Sequence, residues 1–416
     1  MKILVLTKSG DGLPLAYHLQ REGHDVTLYL QEDSPTGKGM IDVVHTLPAL
    51  DRFSLCLCIG RDFCGVADKA DTPLVGPSKL ASKLELDRAY GMRMMEAHGI
   101  DTPPWRLFRS TREAARFAGS YGRPLVLKPN GKRAPSHLTF VAEEEDNSDL
   151  IPMLDVAKRS NPTLESEGFL LQEKVDGIEM SAGSYFNGLT FSQPVMCTFE
   201  NKKLAPQPWA GPGTGEMGSH AFWAYSPKLF REVTEKMAPH LREINYRGDF
   251  DINCIITKRG PLALEMTPRV GFPAVCLQMS NYDGNFGEFL LNVANGSPAP
   301  FVTRQKWAVG VLLTAPPMPY ESLLKNEDEF RGLLVRGEWT KDKYPIDVYE
   351  EDGSYYSSGT GWIGVACGTG EELGEAQESA YKRLKTLKVA NALARSDIGD
   401  RFFAERAELQ DGGWLS

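Results

Sequence analysis

Hydrophobic and polar positions alternate along the first 75 residues in the way that is typical of a parallel α/β unit. The apolar runs KILVLT, HDVTLYL and LCLCIG predict strands, and DGLPLAYHLQREG predicts a helix that ends at Gly23. The turn KSGDGLP can present backbone N–H groups to an anion. It is not a G-x-G-x-x-G dinucleotide fingerprint. We predict an N-terminal α/β domain over residues 1–78.

The stretch SKLASKLELDRAYGMRMMEAHGI has the clearest helical periodicity of the chain. Apolar residues recur every three or four positions, which predicts one amphipathic helix. Its expected inner residues are Leu80, Leu84, Met92 and Met95. Two prolines then end the helical pattern.

Strand patterns interrupted by turns continue beyond this helix. RPLVLKPNG reads as a strand that enters a glycine turn, and GFLLQEKVDGIEMSAGSYF reads as two strands. DFDINCIIT and PLALEMT are joined by KRG, which predicts a hairpin. We assign residues 79–300 to one domain, with a small lobe at about 107–180.

The last part of the chain is predicted to be mostly β. WAVGVLLTA, GEWTKDKYPIDVYEE and GWIGVACGTG are strand-like, and EELGEAQESAYKRLKTLKVA predicts a helix. Residues 301–416 therefore form the expected C-terminal β-rich domain. The fold class predicted for the whole chain is α/β.

Charge and cysteine usage restrict the function. The 416 residues include 46 basic and 55 acidic ones, a net charge of -9, which argues against a nucleic-acid coat or an anionic-membrane binder. No apolar run reaches the length of a membrane span. The odd number of cysteines suits free thiols in a reducing compartment, so we expect a cytoplasmic protein. Cys56 and Cys58 alternate to one face of a strand, which favours core packing over a zinc site.

Polar side chains interrupt several runs that otherwise predict buried strands. Lys128 ends PLVLK, and Glu173 follows GFLLQ. Asp251 and Asn253 share one face of DFDINCII, and Glu265 lies within LALEMT. A buried charge is costly unless it is paired or bound to a metal. A single case is typical of an edge position or an internal ion pair, but several together favour a shared polar cleft.

The chemistry of such a cleft suits a phosphorylated ligand. Glu265 and Asn253 lie on the two strands of one predicted hairpin, so their oxygens can face each other and suit Mg²⁺. Lys128 can neutralise phosphate oxygens, and Arg269 can bind an anion through two N–H groups. Positioning and charge neutralisation supply most of the catalysis of phosphoryl transfer. A P-loop is not present.

Six motifs in order resemble the phosphoribosylamine–glycine ligase family of the ATP-grasp superfamily over nearly the whole chain. They are GPSKLASKLELDRAYGMRMMEAHGI, RPLVLKPNG, LQEKVDGIE, GPGTGEMG, YRGDFDINCIITKRGPLALEMTPR and RSDIGDRF. The resemblance implies an ATP-grasp fold with a Rossmann-like N-terminal domain. It also implies a carboxylate–amine ligase that uses ATP with Mg²⁺ or Mn²⁺ and forms an acyl phosphate. The implied partners are a small carboxylic acid and a small amine, with no membrane or nucleic acid, and the implied assembly is a monomer or small homo-oligomer.

The resemblance also implies roles for single residues. Arg88, where the family usually has Lys, and Lys128 would contact the ATP phosphates, and Arg269 would steady the transferred phosphoryl group. The adenine would meet the backbone of Glu173, Lys174 and Val175, and the ribose would meet Glu179. The metal would be held by Glu265, with Asn253 and Thr267. The substrates would meet Ser9, Gly10, Thr214, Gly215, Met217 and Arg269.

The departures from the family pattern fall mainly on the substrate contacts. The first turn lacks the family's Arg and Glu, so Lys8 or Ser9 would have to serve. VGFPAVC replaces a segment in which acidic residues help to place glycine. Thr267 stands where the family usually has Asn, and KPNGKRAPSHLTF alters the loop over the phosphates. Two alternatives therefore stay open: the same chemistry on a changed acid or amine (an amino acid joined to a modified nucleoside or amino sugar), or a non-catalytic ATP-binding paralogue.

Overall fold

A computed structural model describes residues 1–69, 71–131, 138–206, 211, 213–320 and 330–416. Within these residues the strands form four sheets. Most of the altered phosphate loop, residues 132–137, lies outside the described residues. Position 212 of the glycine-rich motif GPGTGEMG also lies outside them.

The N-terminal segment is the predicted parallel α/β unit. Its elements are β1 (Lys2–Thr7), α1 (Leu13–Arg21), β2 (Asp25–Leu30), β3 (Asp42–Val44), β4 (Leu55–Cys58), α2 (Cys64–Ala67) and β5 (Leu74–Val75). The strands are parallel in the order β3-β2-β1-β4-β5. The carboxyl ends of β1 and β4 are therefore neighbours at the point where the strand order reverses, which is where open α/β sheets bind ligands.

The single amphipathic helix predicted next is two helices, α3 (Lys79–Leu86) and α4 (Arg88–Ala97). Asp87 separates them, because its backbone leaves the helical region (φ -101, ψ 85) and its carboxylate caps α4 by accepting the N–H of Tyr90 at 3.1 Å. Leu80 is 59% exposed, so its predicted inner position is wrong. Leu80 lies beside Lys79 in the exposed first turn of α3, whereas the other three predicted positions are buried.

The small lobe is a four-stranded antiparallel sheet covered by helices. Its elements are β6 (Trp105–Phe108), α5 (Thr111–Tyr121), β7 (Leu125–Pro129), β8 (Phe140–Val141), α6 (Leu150–Ser160), α7 (Leu164–Glu167) and β9 (Phe169–Glu173). The order is β6-β9-β7-β8, with a core of its own beneath α5 and α6. Lys128 therefore lies near the end of a central strand of this sheet.

A large antiparallel sheet forms the rest of the molecule. The first elements are β10 (Ile178–Phe186), β11 (Val195–Glu200), β12 (Gly218–Ala224), α8 (Lys228–Glu232), α9 (Ala238–Glu243), β13 (Gly248–Thr257), β14 (Gly260–Thr267), α10 (Ala274–Asn281) and α11 (Phe286–Asn295). The others are β15 (Trp307–Thr314), β16 (Leu334–Val335), β17 (Lys343–Pro345), β18 (Val348–Glu351), β19 (Ser354–Ser357), β20 (Trp362–Gly370), α12 (Leu373–Leu384) and α13 (Asp400–Asp411). The predicted hairpin is confirmed as β13–β14, and α13 is a helix that the sequence pattern did not indicate.

The order of the large sheet is β14-β13-β10-β11-β12-β15-β20-β17, and β16, β19 and β18 form a separate small sheet. Strand β15 pairs with β12, so the sheet continues across residue 300. The division into three domains at residues 78 and 300 stays a prediction. A shared hydrophobic cluster runs from β1 through α10 and α11 to β20.

Burial of the cysteines agrees with the prediction of core thiols. Cys56 and Cys58 are fully buried on β4, and all seven cysteines are unpaired. Burial raises the pKa of the Cys56 thiol to about 12, so it stays protonated. No helix in the described part of the chain is long and apolar enough to cross a membrane.

Candidate functional site

The hairpin β13–β14 presents a polar row on one face of the large sheet. Asn253 lies directly opposite Glu265, and Asp251 lies opposite Thr267. Because strand side chains alternate between faces, these four residues share one face. Strand β10 pairs with β13 so that Glu179 faces the same side. The predicted approach of Asn253 and Glu265 is confirmed.

Arg88 joins the helical segment to this polar row. Its Nη1 donates to Glu265 Oε2 at 2.6 Å, and its Nε donates to the carbonyl oxygen of Pro129 at 3.2 Å. The backbone N–H of Arg88 donates to Asn130 Oδ1 at 2.6 Å. The first residue of α4 is thus fixed both to the end of β7 and to β14. The predicted phosphate-binding Arg lies in the cleft rather than on an exposed helix surface.

Three cations surround the carboxylate of Glu265. Burial alone would raise the pKa of this carboxyl, but the charges of Arg88, Lys202 and Lys128 outweigh burial and hold the pKa well below its usual range. Glu265 is therefore ionised at neutral pH. A negative charge in the sheet is stabilised here by several positive ones.

Lys128 reaches the same cleft from the small lobe. Burial, together with the charges of Arg88 and Lys202, lowers the pKa of Lys128 to about 8, and Glu265 and Glu179 oppose this shift. The ammonium of Lys128 has no hydrogen bond or salt bridge within the described residues, unlike the other cations of the cleft. It is therefore the cation most available to an added anion.

Lys202 is a site residue that the sequence analysis missed. Its Nζ lies 2.7 Å from Glu179 Oε1 and 2.8 Å from Glu200 Oε2. Lys202 follows β11 in a polar run, NKKL, that reads as an ordinary loop. Only the pairing of β10 with β11 brings it over the sheet. Glu179, predicted to hold the ribose, is therefore an ion-paired side chain in the cleft and not a solvent-facing one.

The backbone at the end of β9 is partly engaged. The N–H of Glu173 donates to the Pro104 carbonyl at 2.8 Å, and the N–H of Lys174 donates to the Pro124 carbonyl at 2.9 Å. The N–H of Val175 forms no hydrogen bond within the part of the chain that the structure describes. Of the three predicted adenine contacts, Val175 thus retains a free backbone donor.

The side chain of Glu173 has a structural role of its own. Its carboxylate accepts hydrogen bonds from the Tyr121 hydroxyl at 2.8 Å and from Arg123 Nη1 at 2.8 Å. Burial and the bond to Glu173 raise the pKa of Tyr121 to about 12. The carboxylate that looked like a polar interruption of a strand ties β9 to α5.

Arg269, at the exit of β14, is paired with a carboxylate that the sequence analysis did not single out. Its Nε lies 3.2 Å from both carboxylate oxygens of Glu85, and its Nη2 lies 3.1 Å from Oε1. Arg61 Nη1 donates to the same Oε1 at 2.7 Å. Arg61 and Glu85 belong to a turn and a helix that are far apart in sequence, so no local spacing could have predicted this cluster.

The predicted substrate residues Ser9 and Gly10 lie in the turn after β1. Thr7 Oγ1 donates to Asp11 Oδ1 at 2.5 Å, and Ser9 Oγ donates to the same oxygen at 3.4 Å. Burial raises the pKa of Asp11 although these hydrogen bonds and the charge of Arg269 lower it. Asp11, absent from the predicted set, thus faces the side of the cleft that holds Arg269.

The loop between β11 and β12 folds back on itself at its base. The N–H of Thr214 donates to the Lys202 carbonyl at 2.9 Å. The buried carboxylate of Glu216 accepts the N–H groups of Asn201 at 3.0 Å and Gly218 at 3.2 Å. The predicted substrate residue Thr214 is thereby held beside the cation that faces Glu179.

Gly215 and Met217 differ in what they could offer to a substrate. Gly215 has a positive φ of 86° and no neighbour near the place of a Cβ, so its backbone is open. The side chain of Met217 is fully buried in the shared hydrophobic cluster. Burial does not favour the predicted contact of Met217 with substrate, which stays a prediction.

The residues expected to bind a metal fit Mg²⁺ in part. Glu265 contributes an ionised carboxylate, and the Asn253 amide is 6% exposed and has no hydrogen bond within the described residues. Thr267, in contrast, offers only a hydroxyl, and it lies opposite Asp251 on β13. No group of three or more His, Cys, Asp or Glu side chains among the described residues could hold a metal ion. Mg²⁺ needs only one or two carboxylates when substrate phosphates and water complete its shell.

An aromatic contact occupies the segment where the family pattern has acidic residues. The ring centroids of Phe272 and Trp362 lie 6.1 Å apart, and the two ring planes are inclined at 55°. The segment 271–273 therefore presents an apolar side chain next to Arg269. Phe272 also packs against the shared hydrophobic cluster, so this segment is apolar where the family pattern is acidic.

Comparison with known proteins extends the resemblance. The family model "Phosphoribosylglycinamide synthetase, ATP-grasp (A) domain" matches residues 86–275. The phosphoribosylamine–glycine ligase of Halalkalibacterium halodurans is 25% identical over 358 residues, 80% of this chain and 77% of that protein. The ligase of the same name from Rhizobium meliloti is 23% identical over 431 residues, 97% of this chain and 99% of that protein.

Solved structures agree on the fold. The phosphoribosylamine–glycine ligase of Thermotoga maritima has a TM-score of 0.74 at 20% identity, over 96% of this chain and 100% of that chain. A biotin carboxylase from Campylobacter jejuni, solved as a β,γ-ATP complex, has a TM-score of 0.67 at 13% identity, over 94% of this chain and 92% of that chain. The mixed α/β architecture is thus that of ATP-grasp proteins. These relatives match at low identity but along most of their length, so the chain is similar to a divergent phosphoribosylamine–glycine ligase of the ATP-grasp superfamily.

Proposed function

We propose that the protein is an ATP-dependent carboxylate–amine ligase that makes an amide through an acyl phosphate, with phosphoribosylamine–glycine ligase as the nearest activity. The observation that carries this proposal is the cation-rich cleft around Glu265. Arg88, Lys128 and Lys202 reach it from a helix, the small lobe and the large sheet. Such an arrangement neutralises a triphosphate and holds it in a fixed orientation.

The reaction proceeds in two displacements. A carboxylate oxygen of the acid attacks the γ-phosphorus of ATP, the bond to the β,γ-bridging oxygen breaks, and ADP leaves. The amine nitrogen then attacks the acyl carbon, the carbon–oxygen bond to phosphate breaks, and the nitrogen loses a proton. The products are the amide, ADP and inorganic phosphate.

The residues of this chain divide the work between the two lobes. The free N–H of Val175 contacts the adenine, and Lys128 and Arg88 contact the phosphates. Arg269 neutralises the phosphoryl group in transfer, where positive charge counts most. Glu179 holds the ribose, and its partner Lys202 keeps it oriented.

Glu265 and Asn253 would hold Mg²⁺ in this cleft, and Thr267 would contribute less because a neutral hydroxyl is a poorer ligand than a carboxylate or an amide oxygen. When bound, the ion would supply charge neutralisation for the ATP phosphates. Arg88 keeps Glu265 in place before the nucleotide arrives, through the hydrogen bond of 2.6 Å. Removal of divalent ions by a chelator should therefore abolish turnover and greatly weaken the effect of ATP on thermal stability.

The direct test is release of ADP and phosphate with Mg·ATP, glycine and phosphoribosylamine. Glu265→Gln should lower kcat by about 100-fold or more, because the amide keeps the shape but loses the charge that faces the metal. The matched control is Glu351→Gln, which removes one carboxylate from an exposed pair with Lys38 (2.9 Å). Wild-type rates in Glu265→Gln would contradict the proposed role.

Changed substrates are the second candidate, favoured by the contact of Phe272 with Trp362. An apolar wall in place of acidic side chains suits an acid other than glycine, joined to an amine of a modified nucleoside or amino sugar. A panel of amino acids and amines, assayed for ADP release, distinguishes the two candidates. Turnover with glycine and phosphoribosylamine alone refutes the substrate change. ATP binding without any turnover in the panel supports a non-catalytic paralogue instead.

We also propose a cellular location, an assembly and a domain division for this protein. Seven unpaired cysteines agree with a reducing compartment, so we retain the cytoplasm as the location. We propose small-molecule substrates only, with a monomer or small homo-oligomer as the assembly. Three domains, divided near residues 78 and 300, are part of the same proposal, in which the second and third share the large sheet through the pairing of β12 with β15.

A further inference from the structure

We propose that Glu85 is the positioning residue of the site, which aims the guanidinium of Arg269 at the γ-phosphate and ties it to Arg61 of the N-terminal sheet. This inference rests on the proposed function, because it assumes that Arg269 meets the transferred phosphoryl group. It adds a residue that acts through another one and does not itself touch the substrate.

The contact between Glu85 and Arg269 fixes the orientation of the guanidinium. The Nε of Arg269 is 3.2 Å from both oxygens of Glu85, and Nη2 is 3.1 Å from Oε1. Nη1 donates to the Val270 carbonyl at 3.3 Å. The side chain of Glu85 is 14% exposed and that of Arg269 is 29% exposed, so water competes little for these bonds.

The donors that remain suit a phosphate. A guanidinium has five N–H groups, and the contacts above engage one each on Nε, Nη1 and Nη2. One N–H is left on Nη1 and one on Nη2, the pair that can bind a phosphate through two parallel hydrogen bonds. Glu85 therefore leaves the phosphate-binding edge of Arg269 unoccupied while it holds the opposite edge.

The cluster also lies where the two large parts of the molecule meet. Arg61 follows β4 of the N-terminal sheet and donates to Glu85 at 2.7 Å, whereas Arg269 leaves β14 of the large sheet. Glu85 is on α3 between them. Two guanidinium groups share one carboxylate, and Arg269 also faces Asp11 in the turn that carries Ser9. A single carboxylate thus joins Arg269 to the segment after β4, and β4 is the neighbour of the strand that leads into the predicted substrate turn.

The test compares nucleotide binding and turnover in Glu85→Gln. A displaced guanidinium should lower kcat by about 100-fold with little change in the KM for ATP. Calorimetry with Mg·ATP and Mg·ADP gives a readout that needs no substrate. The affinity for Mg·ADP, which lacks the γ-phosphate, should stay within about twofold, and the preference for Mg·ATP over Mg·ADP should be lost. Glu85→Asp, which keeps the charge, should restore part of that preference.

Two further variants serve as a control and as a substitute in case Glu85→Gln does not fold. Glu351→Gln, in an exposed pair with Lys38 at 2.9 Å, is the control and should change neither quantity. If Glu85→Gln does not fold, Arg61→Met combined with Glu85→Gln keeps the net charge and is measured in its place, with the same loss expected. An unchanged preference and kcat in the folded variant would overturn the inference. Failure of the wild type to use glycine and phosphoribosylamine, with the nucleotide effect intact, would refute only the assigned substrates.

Discussion

Glu265 shows why an isolated charge on a strand is informative at the scale of a single residue. A carboxylate in a half-buried strand needs compensation, and the chain supplies it from Arg88, Lys202 and Lys128, which come from separate elements. Each cation alone would have an ordinary explanation as a helix, loop or strand-end residue. Their convergence on one carboxylate favours an anion-binding site over a structural ion pair.

Lys128 gives a prediction of pH dependence. Burial lowers its pKa to about 8 from 10.5, so between these values the unfolded chain binds more protons at this residue than the folded one. The free energy of unfolding of the nucleotide-free protein should therefore rise with pH from about 8 to 10.5. ATP affinity should fall as pH rises through about 8, because the ammonium loses its proton.

The variant Lys128→Met tests directly how much the buried charge of Lys128 destabilises the folded protein. It should raise the free energy of unfolding at pH 7 by about 1 to 2 kcal/mol, since one pKa unit corresponds to about 1.4 kcal/mol and partial exposure reduces it. It should also remove most of the thermal shift that Mg·ATP produces. Lys382→Met on α12, where the lysine is exposed, is the control and should change neither quantity. A wild-type response to ATP in Lys128→Met would contradict the phosphate contact.

At the scale of the element, close approach of two strands places the polar row. A Cβ on Gly183 of β10 would lie 2.3 Å from the Cβ of Asp251 and 2.5 Å from the carbonyl oxygen of Phe250 on β13. No side chain fits there without moving β13. The position of Asp251 and Asn253 over the cleft thus depends on a glycine in the neighbouring strand.

Gly183→Ala should therefore destabilise the protein by about 1 to 3 kcal/mol and weaken Mg·ATP binding through displacement of β13. Gly374→Ala on α12 is the matched control. A Cβ there meets no atom within 4 Å, and alanine favours the helix, so stability should be unchanged or slightly higher. Denaturant unfolding of both variants, with calorimetry of Mg·ATP binding, measures the two effects. If both variants had the same free energy of unfolding, β10 and β13 would be able to move apart around the added Cβ without loss of stability, which would contradict this prediction.

At the scale of the whole molecule, the predicted boundary at residue 300 crosses a continuous sheet. Strands β12 and β15 are neighbours, and β20 and β17 complete the same sheet beyond them. The hydrophobic cluster that includes Ile3 and Leu28 also includes Val365. Cutting the chain at this boundary would expose both an apolar core and the unpaired edge of β12.

A fragment of residues 1–300 should therefore fail to fold as a monomer, even though it contains every residue proposed to contact ATP. Circular dichroism and Mg·ATP binding of the purified fragment, beside the full chain, test this expectation. Cooperative unfolding and nucleotide binding by the fragment would instead show that residues 301–416 are an independent domain.

The local sequence pattern alone predicted the parallel N-terminal sheet, the β13–β14 hairpin and a polar cleft, because these features depend on periodicity and on short turns. Glu265 and Lys128 were found in this way, since each interrupts an apolar strand. Tertiary structure decided the rest. The break at Asp87, the pairing of Arg269 with Glu85 and the placement of Lys202 over Glu179 each depend on contacts between residues far apart in sequence. Such contacts leave no local signal, because a charged residue on a helix or loop looks the same whether it meets water or a partner across the fold.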